Sequence, residues 1–285
     1  MNLMRRKSEE LFFRVVMFLA TCIIALVLFI ILYGIFHKGI SSLSWEMLTS
    51  TPKGGFYFGK EGGIANAIIG SIYLSFGAVL LALIIGVPVA LFMNIYLLKF
   101  KKIVNTIRFF LDILWGIPSI VYGAFGFSVM ILFGWKTSLM AGIIIVALFI
   151  IPILIRGIDE VLKTVPMGLL ESSFSLGATK SEIAFRVIVR QCFPGIVTSV
   201  LLSFGRAIGD AAAVLFTTGF TDRIPTSLSQ PSATLPLSIF FQLSSPVAEV
   251  KNRAYAAATV LTIIILVISI FSRYISDKYK RNRIG

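Results

Sequence analysis

Predominantly apolar stretches recur along this chain at lengths that match a bilayer. A helix needs roughly 20 residues to cross about 30 Å of hydrocarbon. The stretches 12–36, 66–98, 107–134, 138–155, 191–217 and 254–273 meet that condition and predict six membrane-spanning helices. The first is apolar all round and has no polar face, which predicts a peripheral helix facing lipid. The second, third and fifth carry Gly70, Gly77, Gly86, Gly116, Gly123, Gly126, Gly205 and Gly209. Small residues let membrane helices approach closely, so these three spans are predicted to form the inner bundle. Pro88 and Pro118 each remove a backbone donor and are predicted to kink their helices.

Composition agrees. The 285 residues are 57% hydrophobic and 14% charged, far from a soluble average. No polar stretch exceeds about 40 residues, too little for a soluble domain with its own core. The fold class is therefore an all-α integral membrane protein. It divides into an N-terminal tail and peripheral helix (1–36), an outer loop (37–65), a core (66–273) holding a polar loop at 157–190, and a basic tail (274–285).

The formal net charge of +13 would point to nucleic acid in a soluble protein. Its distribution points to the membrane instead, with no nucleic-acid partner. With the N-terminus inside, 18 of the 26 Lys and Arg fall on inner segments or the inner ends of spans and 7 on outer ones, and Arg206 is the remaining one. That asymmetry places both termini in the cytoplasm. The first apolar run is too long for a signal peptide and lacks a cleavage site. Cys22 and Cys192 have no disulfide or metal spacing and read as packing residues. One histidine, His37, makes no metal site.

The longest inner segment, 156–190, reads RGIDEVLKTVPMGLLESSFSLGATKSEIAFRVIVR. Pro166 suits the first turn of a helix. Leu169, Leu170 and Phe174 fall on one side of it. Gly177 fits the left-handed residue that ends a helix. Thr179 and Glu182 then form a capping-box pattern that opens another. Two short helices with a sharp elbow are predicted. The pattern alone reads equally as an interhelical loop and as a docking element. In the outer loop, GFYFGK (55–60) superficially suggests a phosphate-binding loop, but its glycines are too close and Glu61 stands where Ser or Thr is needed.

The fifth span contains FGRAIGDAAAV, 204–214. A charged side chain at a helix centre costs about 2.5–3.5 kcal/mol on insertion scales. Arg206 and Asp210, one helical turn apart, would share a face. Either they neutralise each other or they serve an anion path, because a guanidinium fork matches oxyanion geometry. Asp112, four residues after Arg108, reads as half of a membrane-edge ion pair.

Five segments in order, GGIANAIIGSIYL (62–74), IPSIVYGAFG (117–126), SLGATKSEIAFRV (175–187), SFGRAIGDAAAVLFTTG (203–219) and ATLPLSIFFQLSSP (233–246), together with Glu171 six residues before Gly177, resemble the membrane subunits of phosphate ABC importers. The last segment is similar to the A-type subunit. The resemblance implies a six-helix type I ABC importer permease in a prokaryotic inner membrane. It implies a heterodimer with a C-type permease, two ATPase subunits beneath, and an external phosphate-binding protein. This chain has no Walker A sequence and is expected to bind no cofactor, ATP and Mg being used by the ATPases. By the same likeness, 157–190 is the EAA coupling loop. Glu171 and Gly177 would shape it, and Leu170, Phe174 and Leu176 would fill the ATPase cleft. Arg206 and Asp210 would line the substrate path, with Asp210 accepting a hydrogen bond from a protonated phosphate oxygen. Here Asp210 and Ala211 replace the family's usual Glu-Thr, and Ser172 and Ser173 its alanines. The competing readings are a sulfate or molybdate permease and an ion-driven secondary transporter. The latter predicts more intramembrane carboxylates and an internal repeat.

Overall fold

The structure is a computed structural model that describes residues 3–53 and 61–280. The GFYFGK stretch and the end of the basic tail lie outside the described residues. The chain is built from helices α1 (Leu3–Ile40), α2 (Trp45–Thr49), α3 (Ala65–Leu91), α4 (Lys101–Gly116), α5 (Ser119–Leu132), α6 (Leu139–Lys163), α7 (Met167–Ser175), α8 (Lys180–Glu182), α9 (Val189–Gly209), α10 (Leu235–Leu243) and α11 (Ala248–Lys280). Among the described residues, strand is limited to β1 (Pro52–Lys53) paired antiparallel with β2 (Glu61–Gly62). Five helical segments are long and apolar enough to cross a membrane, and the pair α4–α5 makes a sixth if counted as one span.

The centre of the bundle is α6, which packs on α3, α4, α5 and α9. Its most apolar window is 67% buried, against 0% for α1. Within this chain, α1 thus lies at the periphery of the bundle. The inner-bundle reading needs the fourth span added, since α6 is more enclosed than the spans built on α3 and α9. Close approach is nonetheless where glycine sits. A Cβ on Gly70 of α3 would strike the Ala233 carbonyl, and one on Gly123 of α5 would meet the Ala212 and Ala213 carbonyls.

The two prolines behave differently. Pro88 lies inside α3, and the helix runs on into a π-helical turn, Phe92–Tyr96, that carries Asn94. At Ile117-Pro118 the third span does more than kink: α4 and α5 meet at 91°. The residue before a proline avoids the helical region, and Ile117 is extended, with ψ 128.

The fifth span stops eight residues short of its predicted end. Asp210 is extended, with ψ 122, and its carboxylate accepts the Ala213 amide at 2.7 Å. A short acidic side chain that bonds nearby backbone competes with the helix, and Gly209 before it is a weak helix former. Residues 210–234 then run on without helix or strand. Backbone there needs partners, and it finds them at the start of α6. Thr217, Gln230 and Leu228 carbonyls accept the amides of Ser138, Leu139 and Met140, and Ser138 Oγ caps Ala141.

Candidate translocation cleft and coupling elbow

Arg206 leaves α9 one turn before its end. Its guanidinium lies over the Phe149 ring, 4.9 Å from the centroid, within cation–π range. Tyr122 braces that ring edge-on at 5.7 Å and anchors its own hydroxyl on the Leu114 carbonyl at 2.9 Å. Asp210 is the C-cap of α9 and turns away to Ala213, so the two charges do not share a helical face and form no ion pair. Arg206 has no carboxylate within ion-pair distance among the described residues.

Arg206 lines a cleft of about 410 Å³ between α4, α6 and α9. Trp115, Arg156, Glu160, Ser199 and Ser203 line it too. The Ser203 Oγ is buried without a hydrogen-bond partner. Asp210 is absent from the lining.

Beside the cleft sits a charge cluster that the sequence reading did not pick out. Asp159 on α6 is fully buried. Its oxygens accept Asn94 Nδ2 at 2.8 Å, Arg108 Nε and Nη2 at 2.9 Å each, and Arg156 Nη1 at 2.8 Å, with Lys163 Nζ at 3.2 Å. Arg156 Nε also holds Asp112 at 2.6 Å, and Glu160 bridges Arg156 and Lys163 at 3.1 and 2.7 Å. Three cations thus meet three carboxylates. The expected Arg108–Asp112 pair does not form; both turn onto α6 instead. The reason is Asp159, whose buried charge needs donors from every side. A signal was present: Arg156, Asp159 and Lys163 recur once per turn on an apolar helix.

At the same end of the bundle, Pro166 is the N-cap of α7 rather than a residue of its first turn. The α7 C-terminus closes as a Schellman motif, with Gly177 N–H on Phe174 O and Ala178 N–H on Ser173 O. Gly177 takes φ +81. Thr179 and Glu182 form the predicted reciprocal capping box. Apolar side chains divide sharply. Leu170 is 7% exposed and packs into the chain's own core, while Phe174 is 40% and Leu176 88% exposed. Glu171 is exposed, and its carboxylate makes no hydrogen bond among the described residues. The elbow is tied back to the π-helical turn after α3 through Tyr96, which carries Lys180 over its ring at 5.4 Å. Of the cysteines, Cys192 is buried, but Cys22 is exposed on α1 rather than packed.

Residues 82–281 match the family of binding-protein-dependent transport system inner membrane components. The chain belongs to this family. Among named relatives of the permease, the phosphate transport system permease protein PstA of Yersinia pestis is 35% identical, over 88% of this chain and 84% of that one. PstA of Haemophilus influenzae is 33% identical, over 85% of each. The fold matches that of a bacterial alginate ABC transporter solved with a pentasaccharide-bound periplasmic protein, with TM-score 0.64, 16% identity and 96% of each chain covered. The permease is thus a multi-pass inner-membrane transport subunit of the type I ABC importer fold.

Proposed function

We infer that this permease is the A-type membrane subunit of an ATP-driven phosphate importer and lines the path the anion takes. The observation that carries the reading is Arg206, a guanidinium with no carboxylate partner, opening into the cleft beside α6. A fork of five donors suits phosphate oxygens, and relatives over most of the chain's length bear a phosphate permease name. The charge asymmetry supports an orientation with both termini and the elbow in the cytoplasm.

Residues 157–190 then dock on an ATPase subunit, which binds the ATP and Mg; the permease itself needs no cofactor. Exposed Phe174 and Leu176 supply the apolar contact, Glu171 stands ready for a partner group, and Gly177 sets the elbow. Leu170, facing inward, serves as the anchor of the elbow rather than as a docking contact. A C-type permease completes a heterodimer around the cleft, two ATPases sit below, and an external phosphate-binding protein delivers the substrate. Asp210 acts at the end of α9, outside the cleft, and shapes the wall of the path from there.

The test is ATP-dependent uptake of radiolabelled phosphate into vesicles holding this chain with its partner subunits and binding protein, with excess unlabelled sulfate. Phosphate uptake untouched by sulfate and abolished by Arg206→Gln is expected. An assembled, ATP-hydrolysing complex that carries sulfate instead reassigns the permease to another oxyanion.

A further inference from the structure

The cleft does not end at Arg206. That residue sits at the level of Phe149, and the opposite end of the lining is Glu160, eleven residues further along α6. At 1.5 Å per residue the two lie about 16 Å apart along the helix, close to half a bilayer. An anion leaving Arg206 toward the elbow end must pass Ser203, Ser199, Arg156 and Glu160.

Among the described residues, three atoms along that route have unmet hydrogen-bonding capacity. Ser203 Oγ is buried and has no partner, and buried hydroxyls are ordinarily bonded. Arg156 spends Nε on Asp112 and Nη1 on Asp159 and Glu160, leaving Nη2 without a bond. Glu160 spends only Oε1, on Arg156 and Lys163, leaving Oε2 without one. Arg156 offers shaped donors without net attraction, because its charge is offset by three carboxylates. Glu160 offers an acceptor.

We propose that Arg156 and Glu160 form a second anion station between Arg206 and the elbow, and that Glu160 selects oxyanions that carry a proton. Arg156 Nη2 donates to one phosphate oxygen, and Glu160 Oε2 accepts the O–H of another. Both ionic forms of phosphate present near neutral pH retain a proton. Sulfate has none and would set oxygen against oxygen. The near-zero net charge of the station keeps it weak, which conduction requires. The proposal rests on the phosphate-path reading above.

The experiment uses the assembled importer in detergent, without binding protein. Leu202, an exposed apolar residue of the same cleft, is replaced in Leu202→Cys, and modification by an anionic methanethiosulfonate is timed. The complex with Leu202 intact supplies the background from Cys22 and Cys192. Phosphate is expected to slow the labelling. Sulfate is expected to need about tenfold more for equal protection, the discrimination typical of one hydrogen bond to a charged group. Glu160→Gln should erase the difference, since an amide can also donate, and Glu160→Asp should keep it. Equal protection by both anions with Glu160 in place overturns the proposal, as does a preference that survives Glu160→Gln. Absent protection by phosphate in an importer that still takes up phosphate also overturns it, leaving the path reading intact. Absent phosphate uptake by the unaltered importer overturns the path reading itself.

Discussion

Arg108 grips both oxygens of Asp159, Nε on Oδ2 and Nη2 on Oδ1, each at 2.9 Å. This fork joins α4, which turns aside at 91° from α5, to the central helix that leads into the elbow. Any displacement of the elbow carried up α6 therefore acts on α4 and on Trp115 at its end, one wall of the cleft.

A buried ion pair is weak evidence of net stabilisation, but removing one member is costly because the other charges stay behind. Asp159→Asn would leave Arg108, Arg156 and Lys163 facing two carboxylates. It should destabilise the permease by about 3–5 kcal/mol, read as a lower thermal midpoint of the purified complex. Adding Arg108→Gln should recover part of the loss. An unchanged midpoint in Asp159→Asn would show that the network carries no weight.

Asp210 separates a charge role from a capping role. Asparagine keeps the side-chain oxygen that accepts the Ala213 amide, and alanine does not. Asp210→Asn should retain most phosphate uptake. Asp210→Ala should lose about 1 kcal/mol of local stability, the typical worth of a side-chain cap, and show faster amide exchange at Ala213. Uptake lost equally in both variants would return Asp210 to the anion path.

The elbow offers a matched pair of truncations. Leu170→Ala empties a buried site and should cost about 2–5 kcal/mol of stability. Leu176→Ala removes an exposed side chain and should leave the permease's own stability within about 0.5 kcal/mol. It should instead weaken retention of the ATPase subunit on an affinity column. If Leu176→Ala loses stability and keeps the ATPase, the docking assignment fails.

Gly70→Val should prevent assembly, because the added side chain strikes the Ala233 carbonyl and Ser232 Oγ. Gly34→Ala should be harmless, since nothing lies within 4 Å of the new Cβ. Yields of folded protein in detergent compare the two directly.

Local chemistry was legible in the sequence. The Thr179–Glu182 box and the left-handed Gly177 depend on neighbours within a few residues, and both stand where the pattern put them. Relations between helices were harder. Lipid and protein interior are equally apolar, so the Ile, Leu and Phe that bury α6 look no different from those that coat α1. Glycine marked α3 correctly, but α6 is enclosed by bulky side chains. Charge pairing misled for a related reason. The i, i+4 rule joins Arg108 to Asp112, but a buried Asp159 on another helix outbids it. Arg206 stood out by its cost in a membrane, whereas Asp210 looked the same and serves as a cap.

The first helix fastens to the rest at one end. Thr259 Oγ1 donates to the Ile35 carbonyl, Lys38 lies over the Tyr255 ring at 4.8 Å, and a Cβ on Gly39 would strike Thr259 and Tyr255. From Leu11 to Ile31 its large side chains stand exposed. Nothing else in this chain shapes that half, so as far as the chain's own packing goes it is free to exchange Leu, Ile, Val and Phe across generations. Residues 35–39 pack on α11 and are expected to change together with 255 and 259. One helix is thus held to two clocks, and homologues of this permease should show the seam between them.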